Sequence, residues 1–354
     1  MSIEFSQYEA LAADEATPPG RRSVRSVPVF TDLDGSDIAL VIHAVVGARP
    51  GPVLALHTAL HGSEWLVVDT LRRLVEGLDP AELSGAVLAL PVANPVAFSS
   101  GTRNTLDESD SPDLNRSFGG EQTWIADQLG RAITAELYAR ADAVMDFHCG
   151  IWGSAMGSVT CGRDFNDPGV SERAFALATA FGLEHVRRSD LATRFPGPKS
   201  GVGYAGQVLG IPGVISEVGG AGFDPELEEL WAQKNLRGIR GVLQELGVLT
   251  GPPPRADRIL VYDGVVRVNP STAGMLEPVF KPEDMMRVEV PRGTLLGRVW
   301  SPYTFEVVEE LRAPVRGMVD MVCRDYPVRP GDWAYIMVDL DADGTHWVDR
   351  SVTT

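Results

Sequence analysis

Three stretches of this chain, residues 53–60, 85–92 and 143–147, are nearly continuously apolar and do not alternate with polar residues. A strand with one face in water alternates, whereas a strand covered on both faces does not. Each stretch therefore predicts a strand in the middle of a sheet flanked by helices. The intervening residues agree. Leu66, Val67, Leu71, Leu74, Val75 and Leu78 recur at helical spacing over 64–78. Residues 124–140, 172–181 and 225–246 also read as helices, and 27–30, 38–46 and 214–216 as further strands. Strands and helices in this order predict an α/β fold with a largely parallel core.

At 354 residues the chain exceeds the size at which one core stops growing, so two domains are expected. Residues 1–25 are polar and read as an irregular N-terminal arm, followed by a catalytic-sized unit over 26–250. Thr250-Gly251-Pro252-Pro253-Pro254 reads as a linker. Beyond it, over 258–354, short β-rich runs at 258–262, 265–268, 286–290, 295–299, 315–322 and 333–338 are separated by Gly and Pro. They predict a small all-β domain, a barrel or sandwich. A polar loop over 99–120, with an acidic stretch at 107–113, is long enough to suggest function.

The formal net charge of −17 argues against nucleic acid and anionic membranes as partners, since both need a basic footprint. Cys149, Cys161 and Cys323 are too few and scattered for a disulfide framework and fit a reducing compartment. The first residues lack the basic and apolar regions of a signal peptide, and no apolar run is long enough to span a membrane. The expected location is cytoplasmic. The oligomeric state is open, a homo-oligomer included.

Chemistry concentrates at strand ends. His61 and Glu64 follow the strand over 53–60, His148 follows that over 143–147, and Glu217 follows that over 214–216. Ligand sites of open α/β sheets lie at carboxyl ends of strands. Two imidazoles and a carboxylate are a ligand set for a catalytic zinc, which keeps one position open for water. Each residue alone has a simpler reading: a satisfied polar histidine, a first-turn charge on a helix dipole, or a turn at Glu217-Val218-Gly219-Gly220. Their convergence favours the metal. His57, inside an apolar strand, reads as a buried structural histidine. In the polar loop, Asp113-Leu114-Asn115-Arg116 combines a carboxylate-binding fork with an amide donor, which suits an anionic substrate end. Arg103 could equally serve loop-stabilising ion pairs.

His61-Gly62-Ser63-Glu64, Asp113-Leu114-Asn115-Arg116, Asp146-Phe147-His148 and Glu217-Val218-Gly219-Gly220 together resemble the succinylglutamate desuccinylase/aspartoacylase family of zinc-carboxypeptidase-like hydrolases. The resemblance covers roughly 53–246. It implies a carboxypeptidase-like mixed sheet flanked by helices, with a smaller all-β C-terminal domain. It further implies one zinc ion held by His61, Glu64 and His148, with Glu217 as general base and then acid. Arg103 would polarise the scissile carbonyl, and Asn115 and Arg116 would clamp the amino-acid carboxylate. The implied reaction is hydrolysis of a small N-acyl amino acid.

Aspartoacylase-type members carry an arginine shortly before the catalytic glutamate that reads a second substrate carboxylate. Residues 204–216 contain no basic side chain here. With the acidic insert, this points toward a cationic substrate such as an N-acetyl diamino acid, as in the related acetyl-diaminobutyrate deacetylases. The rival readings are a carboxypeptidase acting on peptides and a non-catalytic binding protein on the same fold.

Overall fold

The computed structural model describes residues 9–11, 17–105, 112–150, 153–193, 197–324 and 326–349. The chain runs β1 (Glu9–Leu11), β2 (Arg21–Thr31), β3 (Asp37–Val46), β4 (Arg49–Thr58), α1 (Leu66–Gly77), β5 (Ser84–Leu90), α2 (Pro95–Ser100), α3 (Ile125–Glu136) and β6 (Ala143–Gly150). Next come β7 (Ser154–Gly162), α4 (Pro168–Ala180), β8 (His185–Ser189), α5 (Gly201–Gln207), β9 (Gly213–Gly220) and α6 (Pro225–Glu245). The tail adds β10 (Arg258–Tyr262), β11 (Val265–Val268), β12 (Gly274–Pro278), β13 (Glu289–Val290), β14 (Leu295–Trp300) and β15 (Val307–Arg312). It ends with β16 (Gly317–Cys323), β17 (Tyr326–Val328), β18 (Tyr335–Asp339) and β19 (His346–Asp349).

The architecture is the α/β class read from the sequence: a large mixed sheet covered by helices, with a smaller antiparallel sheet in the tail. The large sheet follows the order β1-β2-β3-β5-β4-β6-β9-β7-β16-β18-β11, and the small one β15-β14-β12-β17. The parallel centre is β5, β4, β6 and β9, while β7 runs antiparallel to β9. The central strands are apolar on both faces because both faces are packed. Leu54 and Leu56 of β4 enter the core beneath α1, α4 and α6, and Ala55 between them enters the core beneath α3. Helix starts carry local signals. Asn94 caps α2, accepting from the Ala97 amide at 3.1 Å, and Asp224 caps α6 with Pro225 in its first turn.

Two expectations need correction. The irregular arm expected over 1–25 contains strand: β1 pairs in parallel with residues 23–25, inside a β2 that already starts at Arg21. The run Arg21-Arg22-Ser23-Val24-Arg25 looks like loop because it is charged. Arg25 is nonetheless buried, its guanidinium paired with Glu136 at 3.1 Å. The second concerns the tail strands. Besides building the small sheet, they extend the large one, where β16 pairs with β7 and β10 with β8. This extension brings tail residues up to the carboxyl ends of the central strands. The acidic stretch at 107–113 lies outside the described residues except for Pro112 and Asp113.

Candidate active site

β4 ends at Thr58, and the next residue, Ala59, takes a left-handed conformation with φ 51°. The chain reverses there and is clasped by the loop after β5: the amides of Ala93 and Asn94 donate to the carbonyls of Thr58 and Ala59, both at 3.0 Å. Gly62 packs directly on α2, where a Cβ would sit 2.1 Å from the Ala97 carbonyl carbon. This tight turn sets His61 and Glu64 side by side, both buried.

Glu64 lies between two imidazoles. Its Oε1 is 2.7 Å from His61 Nδ1 and its Oε2 is 2.7 Å from His148 Nδ1. One donor atom from each of His61, Glu64 and His148 can be chosen so that all three fall within 4.8 Å of one another. Each ring turns its other nitrogen to an aspartate. His61 Nε2 is 3.1 Å from Asp113 Oδ1, and His148 Nε2 is 2.9 Å from Asp146 Oδ1. Asp146 and His148 share a face of β6 because they are two residues apart. A carboxylate on Nε2 fixes the tautomer and leaves the Nδ1 lone pair for a cation. The donor set of two imidazoles and one carboxylate, buried and backed in this way, fits a single zinc-like ion.

The electrostatics of this cluster are steep. Burial alone would push the Glu64 carboxyl up, but the adjacent His148 and His61 outweigh it and hold it well below the usual range. Asp113 is likewise held low against its burial, by His61, Arg103 and Arg116. For His148, burial disfavours the proton, and the carboxylates of Asp146 and Glu64 reverse that and raise its pKa well above normal.

Glu217 stands on β9 in register with His148 on β6 and Ser158 on β7. Burial pushes its carboxyl up to about 7; His148 and His61 oppose the rise, and Glu64 and Asp146 add to it. Asn115 and Arg116 occupy a short 3-10 turn, Leu114–Arg116, capped by Asp113. The Asn115 Oδ1 accepts from the Gly201 amide at 2.9 Å, and its Nδ2 faces His148 Nε2 at 3.1 Å. Arg103, about half exposed, lies 3.2 Å from Asp113 and 3.9 Å from Glu64.

All seven residues singled out in the sequence, His61, Glu64, Arg103, Asn115, Arg116, His148 and Glu217, line one cavity of about 160 Å³. His57 is fully buried as expected, yet not isolated. Its Nε2 meets the Tyr138 hydroxyl at 2.6 Å and its Nδ1 lies 3.3 Å from Asp146 Oδ1. Sequence reasoning missed the supporting aspartates, although the i, i+2 spacing of Asp146 and His148 carries that signal. It also missed the far wall of the cavity, where Ser158 and Arg187 meet Arg267, Asp320 and Trp333 from the tail. No local pattern points to those five.

Comparison with known proteins gives a consistent result. A family model described as the succinylglutamate desuccinylase/aspartoacylase catalytic domain matches residues 50–246. An N-alpha-acetyl-L-2,4-diaminobutyric acid deacetylase from Halomonas elongata is 25% identical over 325 residues, covering 89% of this chain and 90% of its own. A succinylglutamate desuccinylase/aspartoacylase structure from Rhodobacter sphaeroides aligns with TM-score 0.73 and 22% identity, over 90% of this chain and 95% of that one. The product-bound structure of an ectoine utilization protein from Ruegeria pomeroyi aligns with TM-score 0.75 and 22% identity, over 91% and 97%. At these identities the two structures establish the shared fold.

Proposed function

The chain belongs to the succinylglutamate desuccinylase/aspartoacylase family, and from that premise we propose that it is a zinc-dependent amidohydrolase that removes the acyl group from a small N-acyl amino acid. One observation carries this reading. The buried His61–Glu64–His148 set and Glu217 face the same cavity as Arg103 and Arg116, so metal donors, a proton carrier and anion-binding forks share one small space.

His61, Glu64 and His148 would hold the ion. When bound, zinc supplies Lewis acidity, polarising a carbonyl and making water nucleophilic at neutral pH. Asp113 and Asp146 keep both imidazoles turned with Nδ1 toward Glu64. Glu217, with its carboxyl raised to about 7, accepts a proton from the attacking water and returns it to the leaving nitrogen. Water adds to the amide carbon, the C–N bond breaks, and a carboxylate and a free amine result. Arg103, 3.9 Å from Glu64, stabilises the developing oxyanion. Arg116 receives the α-carboxylate of the substrate. Asn115, held through its Oδ1 by the Gly201 amide, turns its side chain to the same cavity and assists.

The family resemblance of the site, the diaminobutyric acid deacetylase from Halomonas elongata and the absence of a basic residue over 204–216 support an N-acetyl diamino acid as substrate. The cavity is small, about 160 Å³, and Asp320, Met321, Trp333 and Ile336 of the tail line it, which favours a small molecule over a peptide. The reading is tested with Glu217→Gln. The variant is expected to bind one zinc per chain, measured by elemental analysis, while turnover of N-acetyl-diaminobutyrate falls at least about 100-fold. Undiminished turnover overturns the role of Glu217.

A further inference from the structure

The far wall of the cavity holds a carboxylate with no role in the hydrolytic reading. Asp320 is 2% exposed and lines the same cavity as the metal donors. Its Oδ2 accepts a hydrogen bond from the Ser158 hydroxyl at 3.1 Å, while its buried Oδ1 makes no hydrogen bond of full geometry among the described residues, although the Gly157 amide and the buried Tyr262 hydroxyl stand close enough to favour the charged carboxylate. A buried carboxylate oxygen left without a donor is costly, and a cavity that presents one is built to receive a donor.

The backbone at this point is specialised as well. In the pairing of β16 with β18, Val319 faces Met337 and Met321 faces Ile336, so Asp320 is the extra residue of a bulge. A bulge re-aims one side chain without breaking the strand, and such features concentrate beside active sites. The sheet order β6-β9-β7-β16 places His148, Glu217, Ser158 and Asp320 on four successive strands. Three strand spacings separate the first from the last, about 14 Å between backbones. All four side chains line the same cavity, a span that fits a substrate arm of a few bonds.

We propose that Asp320 is the specificity-determining residue of this enzyme, its carboxylate receiving the terminal ammonium of a short diamino acid whose α-nitrogen carries the acyl group. Ser158 holds Oδ2 in place and Oδ1 accepts the ammonium N–H. Burial pushes the Asp320 carboxyl up to about 6, against the opposing pull of Arg187 and of hydrogen bonding from Ser158, Gly157 and Tyr262. Arg187 and Arg267 border the same cavity. Arg187 already donates through Nε to the Asp263 carbonyl at 3.1 Å, and Arg267 stacks 4.4 Å from the centre of the Trp333 ring. Arg187 acts on Asp320 from beyond ion-pair distance.

The proposal rests on the N-acyl amino acid reading above, and the test separates the two. Zinc-loaded wild type, Asp320→Asn and Asp320→Glu are assayed with N-acetyl-diaminobutyrate, its neutral isostere N-acetylnorvaline, and N-acetylaspartate. Wild type is expected to favour the cationic substrate over the isostere at least 100-fold in kcat/KM. Asp320→Asn should collapse that ratio at least 30-fold, mainly through KM, and Asp320→Glu should restore part of it. An equal loss on both substrates assigns Asp320 a structural role and overturns the proposal. So does a wild-type preference for N-acetylaspartate, which would make Arg187 and Arg267 the readers. If no substrate is hydrolysed, the functional reading fails, and calorimetry with diaminobutyrate and norvaline still decides the subsite. Equal binding of the two by wild type overturns it.

Discussion

His61 and His148 meet Glu64 from opposite sides in the same manner: each ring places Nδ1 2.7 Å from one carboxylate oxygen and Nε2 near an aspartate, with ring centres 4.9 Å apart. The two histidines come from different strand ends, and the symmetry of their support makes the aspartates part of the candidate metal site. In Asp146→Asn the partner of His148 Nε2 loses its negative charge, and with it the pull that holds the Nε2–H tautomer and makes Nδ1 a stronger donor. Zinc affinity, measured by competition with a chromogenic chelator, is expected to fall about 10- to 100-fold. Unchanged affinity would show that Asp146 does not orient the ring.

Gly62 is required by contact with backbone. A Cβ there would lie 2.1 Å from a main-chain carbon of α2, and neither segment has a flexible side chain that can yield. Gly62→Ala is therefore expected to cost about 1–3 kcal/mol of stability and to displace His61. Both effects are readable, as a lower denaturant midpoint and as substoichiometric zinc. A variant that keeps full zinc occupancy would refute the tight-turn account.

Tyr138 supports the site from further away. Its hydroxyl sits 2.6 Å from His57 Nε2, with both groups fully buried. Tyr138→Phe leaves that nitrogen without a partner at a cost of about 1–3 kcal/mol. The loss should appear in urea unfolding, with zinc occupancy retained at saturating metal.

Asp320 makes stability depend on pH in a defined direction. Its carboxyl is raised from 3.8 to about 6 by burial. Below pH 3.8 it is protonated in both folded and unfolded chains and carries no penalty. Between 3.8 and 6 the folded state holds the proton more tightly, so stability falls as pH rises, and above 6 the full cost remains. That cost is on the order of 3 kcal/mol at most. Ligand-free Asp320→Asn should melt above wild type at pH 7.5, and the gap should close as pH approaches 4. A gap that widens on acidification contradicts the assignment.

The central fold was legible because burial on both faces leaves an unmistakable apolar run, and the site because His61 and His148 each follow such a run and Glu217 follows a shorter strand. β7 was not. Its residues, Ser154-Ala155-Met156-Gly157-Ser158-Val159-Thr160-Cys161-Gly162, are small and half polar, since this strand borders the cavity and faces it with Ser158. β9 was read too short because Gly219 and Gly220 look like a turn. A Cβ on Gly220 would lie 1.8 Å from the Ser154 carbonyl oxygen, so the glycine there marks a close approach of two chains. Asp320 was hidden inside an apolar run, and its partner Ser158 lies 162 residues earlier. No periodicity reports a pairing at that separation.

The joining of β16 to β7 has a consequence for the order in which the protein becomes competent. Every proposed metal donor has been synthesised by His148, whereas the wall that bears Asp320 begins at Gly317. At ribosomal speeds the intervening residues, about 170 of them, take roughly 10–30 s to emerge. During that interval the nascent chain holds all three proposed metal donors but lacks the strand that bears Asp320.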